Sequence, residues 1–218
     1  MKRNQSGFTL IEIAIVLVII GLLLGGVLKG QELINSAKVK NLIGDFKNIP
    51  VSIYGYQDKY KASPGDDLLA LTHLSLTAGT GAGSTVGAKG DGNGIIDGKW
   101  DSTTNTDESF NFWQHIRLAG FGPGPTDRSL PDYIPKNALG GSIGVTNVAE
   151  APVAGMKGTY IICSGGIAGK FAKQIDATLD DGNSAAGTIL IAGLASTNTT
   201  AAVSSPLDDT PYIVCMGF

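Results

Sequence analysis

Lys2-Arg3-Asn4-Gln5-Ser6-Gly7-Phe8-Thr9-Leu10-Ile11-Glu12-Ile13-Ala14-Ile15-Val16-Leu17-Val18-Ile19-Ile20-Gly21-Leu22-Leu23-Leu24 decides how this chain is read. Two cations and a glycine lead into an apolar run from Phe8 to Leu28, long enough to cross a bilayer as one helix. A single carboxylate, Glu12, interrupts it. An ionisable group in hydrocarbon costs roughly 2.5–3.5 kcal/mol on insertion scales, and one that is kept there marks function. The simpler alternatives are a plain signal peptide or a single-pass anchor. A secretory signal has a shorter apolar core and an Ala-x-Ala-like cut beyond it, whereas here the chain continues Lys29-Gly30-Gln31-Glu32.

Gly7 followed by Phe8-Thr9-Leu10-Ile11-Glu12 resembles, residue for residue, the N-terminus of the type IV pilin superfamily, which includes the pseudopilins of type II secretion. The resemblance implies a leader, residues 1–7, cut between Gly7 and Phe8 by a prepilin peptidase that also methylates the new Phe8 amine. It implies a helix over residues 8–60, transmembrane over about 8–28 and amphipathic over about 29–60, then a globular head over 61–218. The fold expected is α+β and type IV pilin-like: a long N-terminal helix packed on an antiparallel sheet, with a C-terminal disulfide loop. The new amine lies one turn from Glu12, so Phe8 and Glu12 of neighbouring copies can pair. The function implied is that of a structural subunit in a homo-oligomeric filament, not an enzyme. Its partners would be the peptidase/methyltransferase, inner-membrane lipid before assembly, an inner-membrane assembly platform and other (minor) pilins. Before assembly the head would lie outside the cytoplasm; afterwards the subunit would sit in a surface pilus or a periplasmic pseudopilus. A type II pseudopilin or a minor pilin is the alternative within the superfamily. A membrane-tethered adhesin or binding module that never polymerises is the alternative outside it.

Composition agrees with a tethered head. The 218 residues leave room for one helix and one globular domain. Glycine supplies 31 of them, about twice the ordinary share of roughly 7%, so loops and turns abound. The net charge is −3, and loss of Lys2 and Arg3 with a leader would take it to −5, which gives no basis for broad electrostatic binding to nucleic acid. Cys163 and Cys215 are the two cysteines. An even count in an exported head suggests one disulfide, two buried thiols being the alternative.

Beyond the membrane stretch the apolar residues Val39, Leu42/Ile43, Phe46, Ile49, Ile53, Tyr56 and Tyr60 recur at helical spacing. Pro50 predicts a kink near Ile49 rather than a stop. Gly21, Gly25, Gly26 and Gly30 weaken the helix by about 1 kcal/mol each against Ala; in the pilins this zone can unwind inside the filament. Ser63-Pro64-Gly65-Asp66 ends the helix with turn chemistry.

A loop-rich region, 76–106, contains Gly90-Asp91-Gly92-Asn93-Gly94-Ile95-Ile96-Asp97-Gly98. Asp91, Asn93 and Asp97 form an oxygen-rich set suited to Ca²⁺, although an EF-hand register would put Lys89 first and Trp100 last. The resemblance adds weight to calcium, since major pseudopilins hold Ca²⁺ in a head-domain loop. A loop of Asx turns is the alternative. Thr106 to Gly120 reads as a short helix, with Thr106 as N-cap, Gly120 at C′, and Phe112, Ile116 and Ala119 on one face beside Trp113. Pro64-Gly65-Asp66, the Gly90–Gly94 run, Trp113-Gln114-His115-Ile116-Arg117-Leu118-Ala119-Gly120 and Leu179-Asp180-Asp181-Gly182 resemble blocks of one pilin-like subgroup. Residues 159–163, 188–192 and 212–215 read as strands, with a helical turn over 171–179. A bridge between Cys163 and Cys215 would then staple the last strand to the sheet.

Enzyme motifs fail on context. Gly140-Gly141-Ser142-Ile143-Gly144 fits G-x-S-x-G, but no histidine follows it, and a nucleophile elbow needs a strand before the serine and a helix after it. Ser164 to Phe171 imitates a P-loop without its first glycine or final Ser/Thr. His73 and His115 are the only histidines, so no His cluster exists for metal or acid–base work.

Overall fold

A computed structural model describes residues 9–79, 81, 83, 85–195 and 197–218. The chain divides into two units, residues 1–40 and 41–218. Helix α1, Leu10–Tyr60, runs unbroken through Pro50. The lost N–H of Pro50 therefore does not stop the helix. Within the second unit Leu42, Phe46, Ile49, Ile53 and Tyr56 are buried. That is the face the helical period marks out, and burying each such side chain stabilises by about 1.5–3 kcal/mol. The end of α1 is tied to the head by Gln57 Nε2 donating to Tyr160 Oη at 2.6 Å and by an edge contact of Tyr54 on Phe218.

The head is α+β. Short α2 (Ala70–His73) and a two-stranded ladder of β1 (Thr77–Ala78) and β2 (Val86–Gly87) precede α3 (Glu108–Leu118). The main sheet follows: β3 (Ile143–Thr146), β4 (Ile161–Ala168), β5 (Ile189–Gly193) and β6 (Pro211–Gly217), in the order β3-β4-β6-β5, antiparallel throughout. Helix α4 (Gly169–Leu179) connects β4 to β5 and packs on β4, β5 and β6.

Strand pleating puts alternate residues on opposite faces, and both faces are covered. Ile161 and Cys163 of β4, Leu190 and Ala192 of β5, and Ile213 and Cys215 of β6 form one cluster with Ala151, Val153 and Met156. The intervening Ile162, Ile189, Ile191 and Val214 are buried as well. Cys163 and Cys215 are register partners on β4 and β6 and form a disulfide, so the bridge does staple the last strand to its neighbour.

The three expected strands and the 171–179 helix are present. Strand β3 was not foreseen, because the glycine-rich stretch around Ile143-Gly144-Val145-Thr146 hides a fully buried four-residue strand. The N-cap of α3 is Asp107 rather than Thr106, since Asp107 already has extended backbone. Gly120 sits one residue past the Ala119 cap at φ +86°, a left-handed conformation that glycine adopts without a Cβ penalty.

Candidate functional site

Gly7 and Phe8 lie outside the described residues; the segment is described from Thr9 onward. There the chain forms a capping box. Thr9 donates its backbone N–H and its hydroxyl to Glu12 Oε2, each at 2.8 Å, and Glu12 returns its own N–H to Thr9 Oγ1 at 3.3 Å. This reciprocal pair satisfies donors that a helix start leaves orphaned. The signature, Thr-x-x-Glu ahead of an apolar run, is legible in Thr9-Leu10-Ile11-Glu12, beside the charge that Glu12 brings to the apolar run. The carboxylate is thus fixed at the mouth of the helix by its own turn.

From Leu10 to Leu28 every large apolar side chain is 45–93% exposed. Helix α1 is long and apolar enough to cross a membrane. So continuous an apolar surface needs a cover, lipid or other protein. Gly21, Gly25, Gly26 and Gly30 remain helical, and a Cβ at any of them would meet nothing within 4 Å. Small residues on an open helix surface permit close approach of another helix.

In the head, the Gly/Asp loop behaves as a backbone nest. Asp66 Oδ1 accepts the N–H groups of Gly92 (2.7 Å) and Asn93 (3.1 Å), and Oδ2 that of Gly94 (2.8 Å). Glu108 accepts from Asp91 and Asp97, both at 3.0 Å. Successive N–H groups wrapped on a carboxylate make an anion-binding concavity. Asp91 and Asn93 close Asx turns onto Asn93 N–H (3.0 Å) and Ile95 N–H (2.7 Å). Asp97 Oδ1 faces the Asn147 amide at 3.4 Å. The carboxylate of Asp91 groups with those of Asp66 and Glu108, within 4.8 Å of one another; Asp97 is not in that group. Burial pushes the Asp66 carboxyl up despite its three backbone donors, and lifts Glu108 to about 7, with Asp66 and Asp91 adding repulsion.

The sequence blocks interlock. Gly65 N–H donates to His115 Nδ1 at 3.0 Å, and His115 Nε2 meets Ala88 O at 3.0 Å. The ring is therefore a neutral Nε2–H tautomer, and burial pushes its pKa down to about 4. Gly65 has φ +92°, and a Cβ there would come within 2.6 Å of Glu108 O, so glycine is required. Gln114 Nε2 donates to Val86 O and Thr126 O, and Arg117 donates to Pro123 O, Pro125 O and Tyr133 O. Helix α3 is buried on nearly every side, its polar residues serving as a scaffold for loop carbonyls. Sequence periodicity foresaw only its apolar face.

The enzyme-like motifs dissolve in place. Ser142 precedes β3 instead of following a strand, and lines an open groove of about 810 Å³ with Trp100, Asp101 and Glu150 but no histidine. His115 is buried elsewhere, and His73 Nδ1 pairs with Asp67 at 2.7 Å. Lys170 of the P-loop imitation pairs with Asp209 at 2.9 Å.

The prokaryotic N-terminal methylation motif matches residues 2–28. No curated protein and no solved structure matches the chain. The motif supports a type IV pilin-like or pseudopilin structural subunit, processed by a prepilin peptidase and anchored in a membrane before assembly into a pilus-type filament.

Proposed function

We propose that this chain is a prepilin whose mature form, beginning at Phe8, builds the shaft of a type IV pilus or pilus-like filament. The observation that carries this reading is Glu12 fixed by Thr9 at the start of an uncovered apolar helix. Cleavage after Gly7 creates an amine one turn away, which N-methylation leaves cationic. In the inner membrane each carboxylate is unfavourable without a cation. Docking of the next subunit supplies one, because its own Phe8 amine enters the same layer. Charge pairing then sets the axial register, while Ile13, Ile15, Val16, Leu17 and Ile20 supply packing without register information.

Binding to a neighbour therefore needs Glu12, whereas membrane insertion does not. Glu12→Ala should insert and be processed at near-normal levels yet fail to extend filaments, and co-expression with unmodified subunit should partly restore incorporation. Electron microscopy of sheared filaments and mass spectrometry of the membrane pool are the measurements. Normal-length filaments built only from the Glu12→Ala protein would overturn the assembly role. Assembled subunits that retain residues 1–7 would overturn the cleavage.

A further inference from the structure

Helix α4 ends in an acidic cluster that the filament reading does not use. Asp176 and Asp180 stand four residues apart on one side of the last turn, and Asp181 follows at once. Oxygens of all three lie within 4.8 Å of one another. Two of the three are anchored by one oxygen each: Asp180 Oδ2 accepts the N–H groups of Thr188 (2.5 Å) and Ile189 (2.8 Å), and Asp181 Oδ1 accepts that of Asn183 (2.8 Å). Asp176 differs. Its side chain is 0% exposed, and neither carboxylate oxygen has a hydrogen-bond partner among the described residues.

We propose that Asp176, Asp180 and Asp181 form a binding site for a hard divalent cation of the Ca²⁺ class at the C-terminal end of α4. A buried carboxylate with two unmet oxygens costs several kcal/mol unless something neutralises it. No lysine or arginine does so among the described residues; the two lysines of α4, Lys170 and Lys173, pair outward with Asp209 and Asp208. The negative end of the helix dipole adds to the local anionic field. Burial, Asp180 and Asp181 all raise the Asp176 carboxyl. The Ser184 hydroxyl and Gly182 N–H act in the opposite sense and offset only part of this, neither meeting hydrogen-bond geometry with the carboxylate.

A proton is the rival solution. It would neutralise one acid and satisfy one oxygen, leaving the second oxygen unmet and the charges of Asp180 and Asp181 held by backbone N–H groups alone. A divalent ion answers all of them at once. Three carboxylates are hard oxygen donors, which suit Ca²⁺ or Mg²⁺ rather than softer metals, and an irregular donor set favours Ca²⁺ over the octahedral demands of Mg²⁺. Asp180 is half-buried and Asp181 exposed, so an ion has a route in. Occupancy would pin the turn after α4, and with it the start of β5, through the Asp180 anchor.

The test uses the full chain in detergent, stripped of metal by chelation, with Ca²⁺ and Mg²⁺ added separately. Calorimetric titration should show saturable Ca²⁺ binding at about 10⁻⁴–10⁻³ M, the range of extracellular modules, with Mg²⁺ weaker. Ca²⁺ should raise the melting temperature of the head. Asp176→Asn should abolish both effects, Asp181→Asn should weaken binding about tenfold or more, and Asp91→Asn should leave them intact. Asp181 is exposed, so that variant keeps the test open if Asp176→Asn fails to fold. No calcium response in the folded unmodified chain would overturn the proposal, as would a response lost in Asp91→Asn but kept in Asp181→Asn. The site stands or falls independently of filament assembly.

Discussion

The N-terminal segment and the head solve opposite problems with the same amino acids. Between Leu10 and Leu28 apolar side chains are displayed, and the one carboxylate sits in the open on a threonine cap. In the head, apolar side chains are enclosed, and carboxylates such as Asp66 and Glu108 are wrapped in backbone N–H groups. Burial in the head stabilises the chain itself; exposure in the N-terminal segment leaves favourable free energy to be gained with a partner. Substitutions in the two regions should therefore separate stability from assembly.

The largest separation should come from Phe46, which is 1% exposed. Phe46→Ala should cost roughly 3–5 kcal/mol of head stability without altering leader removal. Its counterpart, Leu17→Ala, truncates a side chain that is 63% exposed and should leave the melting temperature of the head unchanged while lowering filament yield. A lowered head melting temperature in Leu17→Ala would break the comparison.

Next in size is the disulfide. Cys163–Cys215 closes a separation of 52 residues, worth about 4 kcal/mol in the chain-entropy model, with roughly 2–4 kcal/mol typical of measurement. Replacing both cysteines with serine should lower the denaturant midpoint of the head and raise amide exchange in β6 first. Helicity of residues 10–28 should not change. Exchange rising equally across Leu10–Leu28 would mean that the two regions are not independent.

These contrasts track what was legible in the sequence. The N-terminal segment is legible because its motif lies in linear order: cations, glycine, aromatic, carboxylate, apolar run. Residues 188–192 and 212–215 are legible as strands, apolar runs bounded by turns, and fall within one or two residues of β5 and β6. The interior of the head is not so legible. His115 meets Gly65 across fifty residues, and Asp66 reaches the 92–94 loop across more than twenty-five. Buried polar partners at such distances carry no local period. The oxygens of the Asp-rich loop are visible in one-letter code, whereas the N–H groups it turns on Asp66 and Glu108 are not. Asp176, by contrast, looks ordinary in sequence, and only its enclosure with no hydrogen bond to its carboxylate among the described residues sets it apart.

The pH dependence of the head should come next. His115 sits at about 4 against an ordinary 6.5, so its contribution is present above 6.5 and lost as pH falls through about 4. Glu108, raised from 4.5 to about 7, acts in the other sense: its contribution is complete below 4.5 and lost as pH rises through about 7. The two offset each other between about 4.5 and 6.5, and above that window only the Glu108 loss remains. Glu108→Gln should remove the decline toward pH 8 and leave the acid-side loss. Thermal melts across pH 4–8 check this, and an unchanged alkaline slope in the variant would show that another group is responsible. Glu12→Ala should leave the profile untouched.

The smallest effect should belong to the capping box. Thr9→Ala removes the hydroxyl that donates to Glu12 Oε2 and accepts from Glu12 N–H, but keeps the Thr9 backbone bond to the same carboxylate. The loss should be about 1 kcal/mol, the usual value of an N-cap side chain, and confined to the first turn of α1. Amide exchange in micelles should rise at residues 10–13 and nowhere in the head. Thr9→Ser, which restores the hydroxyl, should return exchange to its original rate. A freer Glu12 carboxylate is also worse placed for an incoming amine, so Thr9→Ala filaments should form more slowly than Thr9→Ser filaments from equal membrane pools. If Thr9→Ala assembles at the unmodified rate while its first turn frays, the cap serves the helix alone, and the orientation of Glu12 must be set by the neighbouring subunit.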